Sequence, residues 1–199
     1  MIVSFNSMPL RRFDTMTLRH FLNIPTLPMP DSPVPKDLTI LPMTSDDLED
    51  VLKIERLSFP APWSRSQFEK EIQNPFSGKF TAKIIHKGKE VVAAYIIFWV
   101  VADEAHILNI ATHPDFRRRG IARTLFSFIL SRLKEKGVRE IFLEVRRSNA
   151  PAQKLYHDFG FKKIGIREGY YGNNNEDAII MALEVKGQHR INLKRKDDG

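Results

Sequence analysis

Apolar residues recur along this chain at two spacings, and the spacings divide it into strands and helices. Leu38-Thr39-Ile40-Leu41 reads as a short strand. Leu48, Val51, Leu52, Ile54 and Leu57 return every three or four positions, marking a helix that Ser45 or Asp46 can cap. Phe59-Pro60-Ala61-Pro62-Trp63 is apolar too, but its two prolines keep it out of any helix. Ser64 opens a second helix, with Gln67 as its capping-box partner and Phe68 and Ile72 on the inner face. Residues 79–86 and 90–102 read as strands joined by a tight turn at Lys87-Gly88-Lys89, and residues 105–112 as a third. Ile121, Leu125, Phe128, Ile129 and Leu133 predict a long helix over 119–136, stopped by Gly137. A strand over 139–146, a helix over 150–159 closed by Gly160, and strands over 161–167 and 177–185 complete the pattern. The predicted order is β-α-α-β-β-β-α-β-α-β-β, an α/β domain of the α+β type, with no repeat.

Both ends fall outside this regularity. Five of the twelve prolines lie between Pro25 and Pro35, too dense for helix or sheet. Residues 1–37 therefore read as a disordered or proline-rich N-terminal extension, or as sequence upstream of a true start near Met29. Met1 to Ile24 lacks the apolar core of a secretory signal, and Arg11, Arg12 and Arg19 with only Asp14 leave a transit peptide as a further alternative. Residues 186–199 hold five basic and two acidic residues and read as a basic flexible tail. The folded domain is expected over residues 38–185.

Composition narrows the chemistry. With 199 residues, 42% hydrophobic and 28% charged, the chain has the make-up of an ordinary globular protein. Zero cysteines exclude disulfide scaffolds, cysteine-ligated metals and thiol nucleophiles. The six histidines form no spaced metal pair, so no metal is expected. His106 and His113 have no partner that would make either a catalytic base. The longest apolar run, Val91 to Ala102, is strand-sized and too short to span a bilayer, so no membrane partner is expected. The net charge of +7 suits an anionic partner. Much of it sits in the C-terminal tail, which reads as a solvated end, and no direct nucleic-acid contact is expected. Lack of cysteine and of an export signal fits the cytoplasm.

The anion most compatible with the sequence is a pyrophosphate. In Ile110-Ala111-Thr112-His113-Pro114-Asp115-Phe116-Arg117-Arg118-Arg119-Gly120-Ile121-Ala122-Arg123 a strand ends at a proline, and a basic turn opens directly into a helix. A helix start offers unpaired N–H groups and partial positive charge. Gly120 and Ala122 leave the backbone approachable, and arginines add charge-assisted bonds. Such an arginine-rich helix start can equally be a solvated face.

The spacing Arg-x-x-Gly-x-Ala after strand and proline resembles the pyrophosphate signature of the GNAT family of N-acetyltransferases, with Ala122 where a second glycine is more frequent. The resemblance covers residues 38–185. Phe59-Pro60-Ala61-Pro62-Trp63-Ser64, Leu143-Glu144-Val145-Arg146-Arg147-Ser148-Asn149, and Tyr170-Tyr171 followed by Glu176-Asp177-Ala178-Ile179-Ile180-Met181 are similar to its bacterial ribosomal-protein-alanine subgroup. It implies a mixed, mostly antiparallel seven-stranded sheet, splayed between the fourth and fifth strands, with helices on both faces. It further implies acetyl-CoA as co-substrate and an acceptor amine at the N-terminus of a protein. That acceptor would be an alanine-starting ribosomal protein of the small subunit. A lysine or small-molecule amine as acceptor, or a non-catalytic binding module, are the alternatives.

The resemblance assigns roles residue by residue. Glu144 matches the general base; read alone it shares a strand face with Phe142, an odd place for a carboxylate, or is an edge or salt-bridged glutamate. Tyr156 matches the phenol that protonates the coenzyme A thiolate; alone it could equally pack beside Leu155. Asn149 is a natural N-cap, to which the resemblance adds contact with the pantetheine arm. Ile110, Ala111 and Thr112 would offer backbone groups to that arm and to the thioester oxygen, and residues 117–123 would hold the pyrophosphate. Phe59, Trp63, Tyr170 and Tyr171 read as loop aromatics, which either cap the core or shape a peptide groove.

Overall fold

The protein is seen in a computed structural model that describes residues 34–185. The expected 186–199 tail and almost all of the expected 1–37 extension lie outside the described residues. In chain order the elements are β1 (Thr39–Pro42), a 3-10 turn (Ser45–Asp47), α1 (Leu48–Ser58), α2 (Arg65–Gln73), β2 (Ser77–His86), β3 (Lys89–Val101), β4 (Glu104–Thr112), a second 3-10 turn (Pro114–Phe116), α3 (Ile121–Glu135), β5 (Glu140–Arg146), α4 (Ala150–Asp158), β6 (Lys162–Tyr171) and β7 (Glu176–Glu184). This is the order that the hydrophobic pattern predicts.

Seven strands form one sheet in the order β1-β2-β3-β4-β5-β7-β6. Every neighbouring pair is antiparallel except β4 with β5. Those two strands pair only from Glu104–Glu140 to Ile107–Leu143. From Leu108 onward β4 keeps β3 alone, and from Glu144 onward β5 keeps β7 alone. The sheet therefore opens at its centre.

The near-continuous apolar run of β3 is explained by burial on both faces. Ala93, Ala94, Ile96 and Phe98 join one core with Ile121, Leu125, Phe126, Ile129 and Leu133 of α3. Val92, Tyr95 and Ile97 join another with Leu48, Val51, Leu52 and Ile54 of α1 and Phe68 of α2. Helices thus cover both faces, as expected.

Two details differ from the sequence reading. The entrance to α1 is organised by Thr44, whose N–H donates to Asp47 Oδ2 at 2.9 Å, rather than by Ser45 or Asp46. Asp47 is buried and pairs with Lys83 Nζ at 2.7 Å, so the same carboxylate ties this turn to β2. Second, β6 runs on to Tyr171 instead of stopping near Arg167. Its register shifts between Arg167 and Tyr171, where Gly169 adopts φ +59° and donates its N–H to Asp177 Oδ1 at 3.1 Å. A bulge of this kind breaks the alternation that would reveal the strand. Tyr170 and Tyr171 consequently sit at a strand end and not in a loop.

Close packing between β2 and β3 yields a stability prediction. A Cβ on Gly78 would come within 2.2 Å of the Phe98 ring, which lies opposite it in the ladder and is fully buried. Gly78→Ala should destabilise the fold by about 1–3 kcal/mol, the usual cost of overpacking. Urea titration would show a lower midpoint at unchanged slope. An unchanged midpoint would mean that the ring is free to move aside.

Candidate active site

The opening of the sheet creates a cleft of about 410 Å³. Leu108, Asn109 and Ile110 of β4 form one side, and Leu143 to Arg146 of β5 the other. Asn149, Ala152 and Tyr156 come from the start and body of α4. Phe59, Ala61 and Trp63 enter from the α1–α2 loop, and Tyr170 to Asn173 from the β6–β7 hairpin. Glu144, Tyr156, Asn149, Ile110 and all four predicted groove aromatics therefore meet in one place. Ala111, Thr112 and residues 117–123 do not line the cleft; they lead out of it along β4 into α3.

Glu144 sits where its strand alternation puts it. Ile141, Leu143 and Val145 are buried, while Phe142, Glu144 and Arg146 share the other, half-open face. Its strand is internal to the sheet, but Glu144 is the first β5 residue beyond the β4 pairing and so lies on the free edge where the sheet opens. The salt-bridged reading holds together with the cleft position, because Arg167 Nη1 of β6 lies 3.1 Å from Glu144 Oε1.

Tyr156 is buried, its ring against Phe126 at 5.6 Å and Phe161 at 5.9 Å between centroids. Its hydroxyl makes no hydrogen bond among the described residues. Burial pushes the phenol above its ordinary pKa, and the nearby Tyr171 adds to the shift. Asn149 is the N-cap that the sequence suggests: its Oδ1 accepts the Ala152 N–H at 3.2 Å.

The basic turn divides into internal and outward parts. Arg117 is spent within the protein, donating from Nε to the Thr112 carbonyl at 3.1 Å and from Nη2 to Ser58 Oγ at 3.0 Å. Arg123 is also engaged, with Asp158 at 2.6 Å and the Phe159 ring at 5.6 Å. Arg119 lies over the Phe116 ring at 5.5 Å and is exposed. Gly120 precedes α3 at φ +72°, a left-handed conformation that glycine adopts without strain, and no side chain caps the helix. The N–H groups of Ile121, Ala122 and Arg123 thus have no intrahelical acceptor. An uncapped start to a 15-residue helix, with Arg118 and Arg119 exposed beside it, fits an anion.

Sequence reasoning missed two groups of cleft residues. The first is Arg146, which bonds Asn173, Asn174 and Glu176 of the β6–β7 hairpin and lies 3.7 Å from the Tyr171 ring centroid. Glu176 is held down to about 2 by hydrogen bonds from Ser148, side chain and backbone, aided by Arg146 and Asn174. Burial pushes Tyr171 up to about 12. The second is Glu55, only 1% exposed, which accepts from Trp63 N–H, the Tyr95 hydroxyl and Asn109 Nδ2. Burial raises its pKa, and those same hydrogen bonds oppose the rise. A signal for it exists: Glu55 follows Leu48, Val51 and Leu52 by seven, four and three positions, which places it on the buried face of α1.

Among the described residues no group of three histidine, cysteine or acidic side chains could hold a metal, and no helix is long and apolar enough to cross a membrane.

A seven-stranded sheet that opens at its parallel β4–β5 pair, with a glycine-led, uncapped helix in the connection between those two strands, defines a class of proteins. Residues 48–161 match the model of the Acetyltransferase (GNAT) family, and the chain belongs to that family. Within it, the chain is 38% identical over 149 residues to the ribosomal protein bS18-alanine N-acetyltransferase of Escherichia coli (strain K12), covering 74% of this chain and 97% of that one. It is 41% identical over 144 residues to a Bacillus subtilis (strain 168) protein provisionally named for the same activity, covering 72% of this chain and 93% of that one. The crystal structure of the Escherichia coli ribosomal-protein-S18-alanine N-acetyltransferase superposes with a TM-score of 0.68, covering 78% of this chain and 98% of that one.

Proposed function

We propose that this protein transfers the acetyl group of acetyl-CoA to the free α-amine of an alanine-starting protein, ribosomal protein bS18. The observation that carries this reading is the shared cleft, in which Glu144, Tyr156 and two pairs of aromatics converge at the break in the sheet. Similarity over nearly the full length of the Escherichia coli enzyme supports the choice of acceptor.

Acetyl-CoA supplies the activated thioester. Beyond Ile107, β4 has no partner strand on its β5 side, so backbone groups of its outer half are available to the amides of an extended pantetheine arm. The first turn of α3, with Arg118 and Arg119, suits the pyrophosphate. Glu144 takes the proton of the incoming ammonium on its carboxylate, directly or through water. An α-amine, with a pKa near ~8 against ~10.4 for lysine, gives up that proton more readily. Tyr156 delivers a proton to the departing sulfur. Phe59, Trp63, Tyr170 and Tyr171 border the acceptor. An acetyl-CoA donor and a ribosomal acceptor imply a cytoplasmic site of action.

The test is a matched pair of peptides incubated with acetyl-CoA and read by mass spectrometry. One begins with free alanine; the other has a blocked N-terminus and an internal lysine. Acetylation of the first alone is expected. Transfer to the blocked peptide would replace this reading with a lysine acetyltransferase.

A further inference from the structure

The α1–α2 loop carries Phe59, Ala61 and Trp63 into the cleft, yet its backbone is poorly anchored. Pro60 and Pro62 have no N–H to give. Among the described residues, the only hydrogen bond made by the backbone of residues 60–63 is the one from Trp63 N–H to Glu55 Oε1, at 2.8 Å. The same carboxylate accepts Asn109 Nδ2 at 3.2 Å on each oxygen and the Tyr95 hydroxyl on Oε2. Asn109 lies between Leu108 and Ile110, the β4 residues that edge the cleft where the sheet opens.

We infer that Glu55 is a positioning residue for the acceptor: one carboxylate fixes the aromatic loop against the free edge of β4 and so sets the width of the peptide groove. This rests on the acetyl-transfer reading given above. Chemistry favours a carboxylate at this point, because it presents two acceptor oxygens to three donors and needs no proton of its own. A glutamine with its oxygen in the Oε1 place would keep the Trp63 and Asn109 bonds and give its NH2 to the Tyr95 hydroxyl. A methionine of similar length offers no comparable acceptor and leaves Trp63 N–H and Asn109 Nδ2 unpaired in a buried place. The start of α3, assigned to the pyrophosphate, makes no bond to this network among the described residues. The β4 groups assigned to the pantetheine arm are backbone atoms of a strand that its ladder with β3 holds in place, so acetyl-CoA binding should survive loss of the Glu55 carboxylate.

The experiment compares wild type, Glu55→Met and Tyr95→Phe in the full chain. The readouts are steady-state kinetics with the alanine-starting peptide, acetyl-CoA affinity by calorimetry, and amide hydrogen exchange. For Glu55→Met the expected result is a KM for peptide raised about tenfold or more, as for a lost hydrogen bond to a charged group, with kcat within about threefold. Acetyl-CoA affinity should be unchanged, and the Trp63 amide should lose protection relative to the Gln67 amide in the neighbouring helix. Tyr95→Phe removes one donor but leaves the Trp63 anchor, so it should keep that protection and raise KM less. A wild-type KM in Glu55→Met would overturn the inference. So would a loss of acetyl-CoA affinity in step with peptide affinity, which marks a merely structural residue. If wild type binds acetyl-CoA but acetylates no α-amine, the functional reading fails instead, and the exchange at Trp63 still decides whether Glu55 anchors the loop.

Discussion

Glu144→Gln is expected to lower kcat for acetyl transfer by about a hundredfold or more while acetyl-CoA still binds with wild-type affinity. The magnitude is that of losing a positioned general base. The substitution keeps the size and planarity of the side chain but removes its capacity to take a proton at neutral pH. Structural damage should be small. Glu144 lies on the half-open face of β5, and the core residues Ile141, Leu143 and Val145 point the other way. Its ion-pair partner Arg167 is 54% exposed, so solvent replaces most of what the guanidinium loses. The pH dependence carries a further signature. As pH rises through ~8, more of the α-amine is already neutral and the demand for a base falls. The variant's deficit should therefore narrow toward alkaline pH. Turnover equal to wild type at every pH would remove Glu144 from the mechanism, and loss of acetyl-CoA binding would mark it as structural.

How far the sequence foretells this site depends on the range of the interaction that fixes each residue. Glu144 is legible because strand alternation is local: Ile141, Leu143 and Val145 assign the core face, and a carboxylate on the opposite face is anomalous within five residues. Ser64 with Gln67 and Asn149 with Ala152 are legible for the same reason, since both caps close over three residues. The α1 entrance misleads because Thr44, Ser45 and Asp46 are all competent caps. What selects Thr44 is the bond to Asp47, itself buried against Lys83 of a distant strand.

Long-range partners are invisible to that procedure. Glu55 meets Tyr95 and Asn109 only because α1 packs on β3 and β4, and nothing near Glu55 in the chain names them. Arg117 and Arg123 are similar. A run of arginines before a helix suggests anion binding, whereas the fold turns Arg117 onto Ser58 and Arg123 onto Asp158. The glycine of the motif is legible on its own terms: Gly120 takes a left-handed conformation and leaves the helix start uncapped, whatever the arginines around it do.

Tyr156→Phe should reduce kcat by about ten- to a hundredfold, the lower end of what a positioned proton donor contributes. The smaller loss follows from the leaving group: a thiol has a pKa near ~8.5, so its thiolate departs tolerably without help. Phenylalanine keeps the ring against Phe126 and Phe161, and the missing hydroxyl breaks no hydrogen bond among the described residues. Thermal stability should accordingly stay close to that of wild type, which separates a chemical role from a packing one. The direction of the pKa shift adds a second check. Burial disfavours the phenolate, and the neighbouring Tyr171 does so further, so the Tyr156 pKa lies above its ordinary value. Its proton is then retained well past neutrality, and the phenol remains a competent acid across about pH 6–9. Loss of the hydroxyl should lower the whole kcat profile without moving its limbs. A profile whose basic limb vanishes in the variant would instead mean that the phenol titrates in the working range. Unaltered kinetics would return Tyr156 to the aromatic core it shares with Phe126, Phe159 and Phe161.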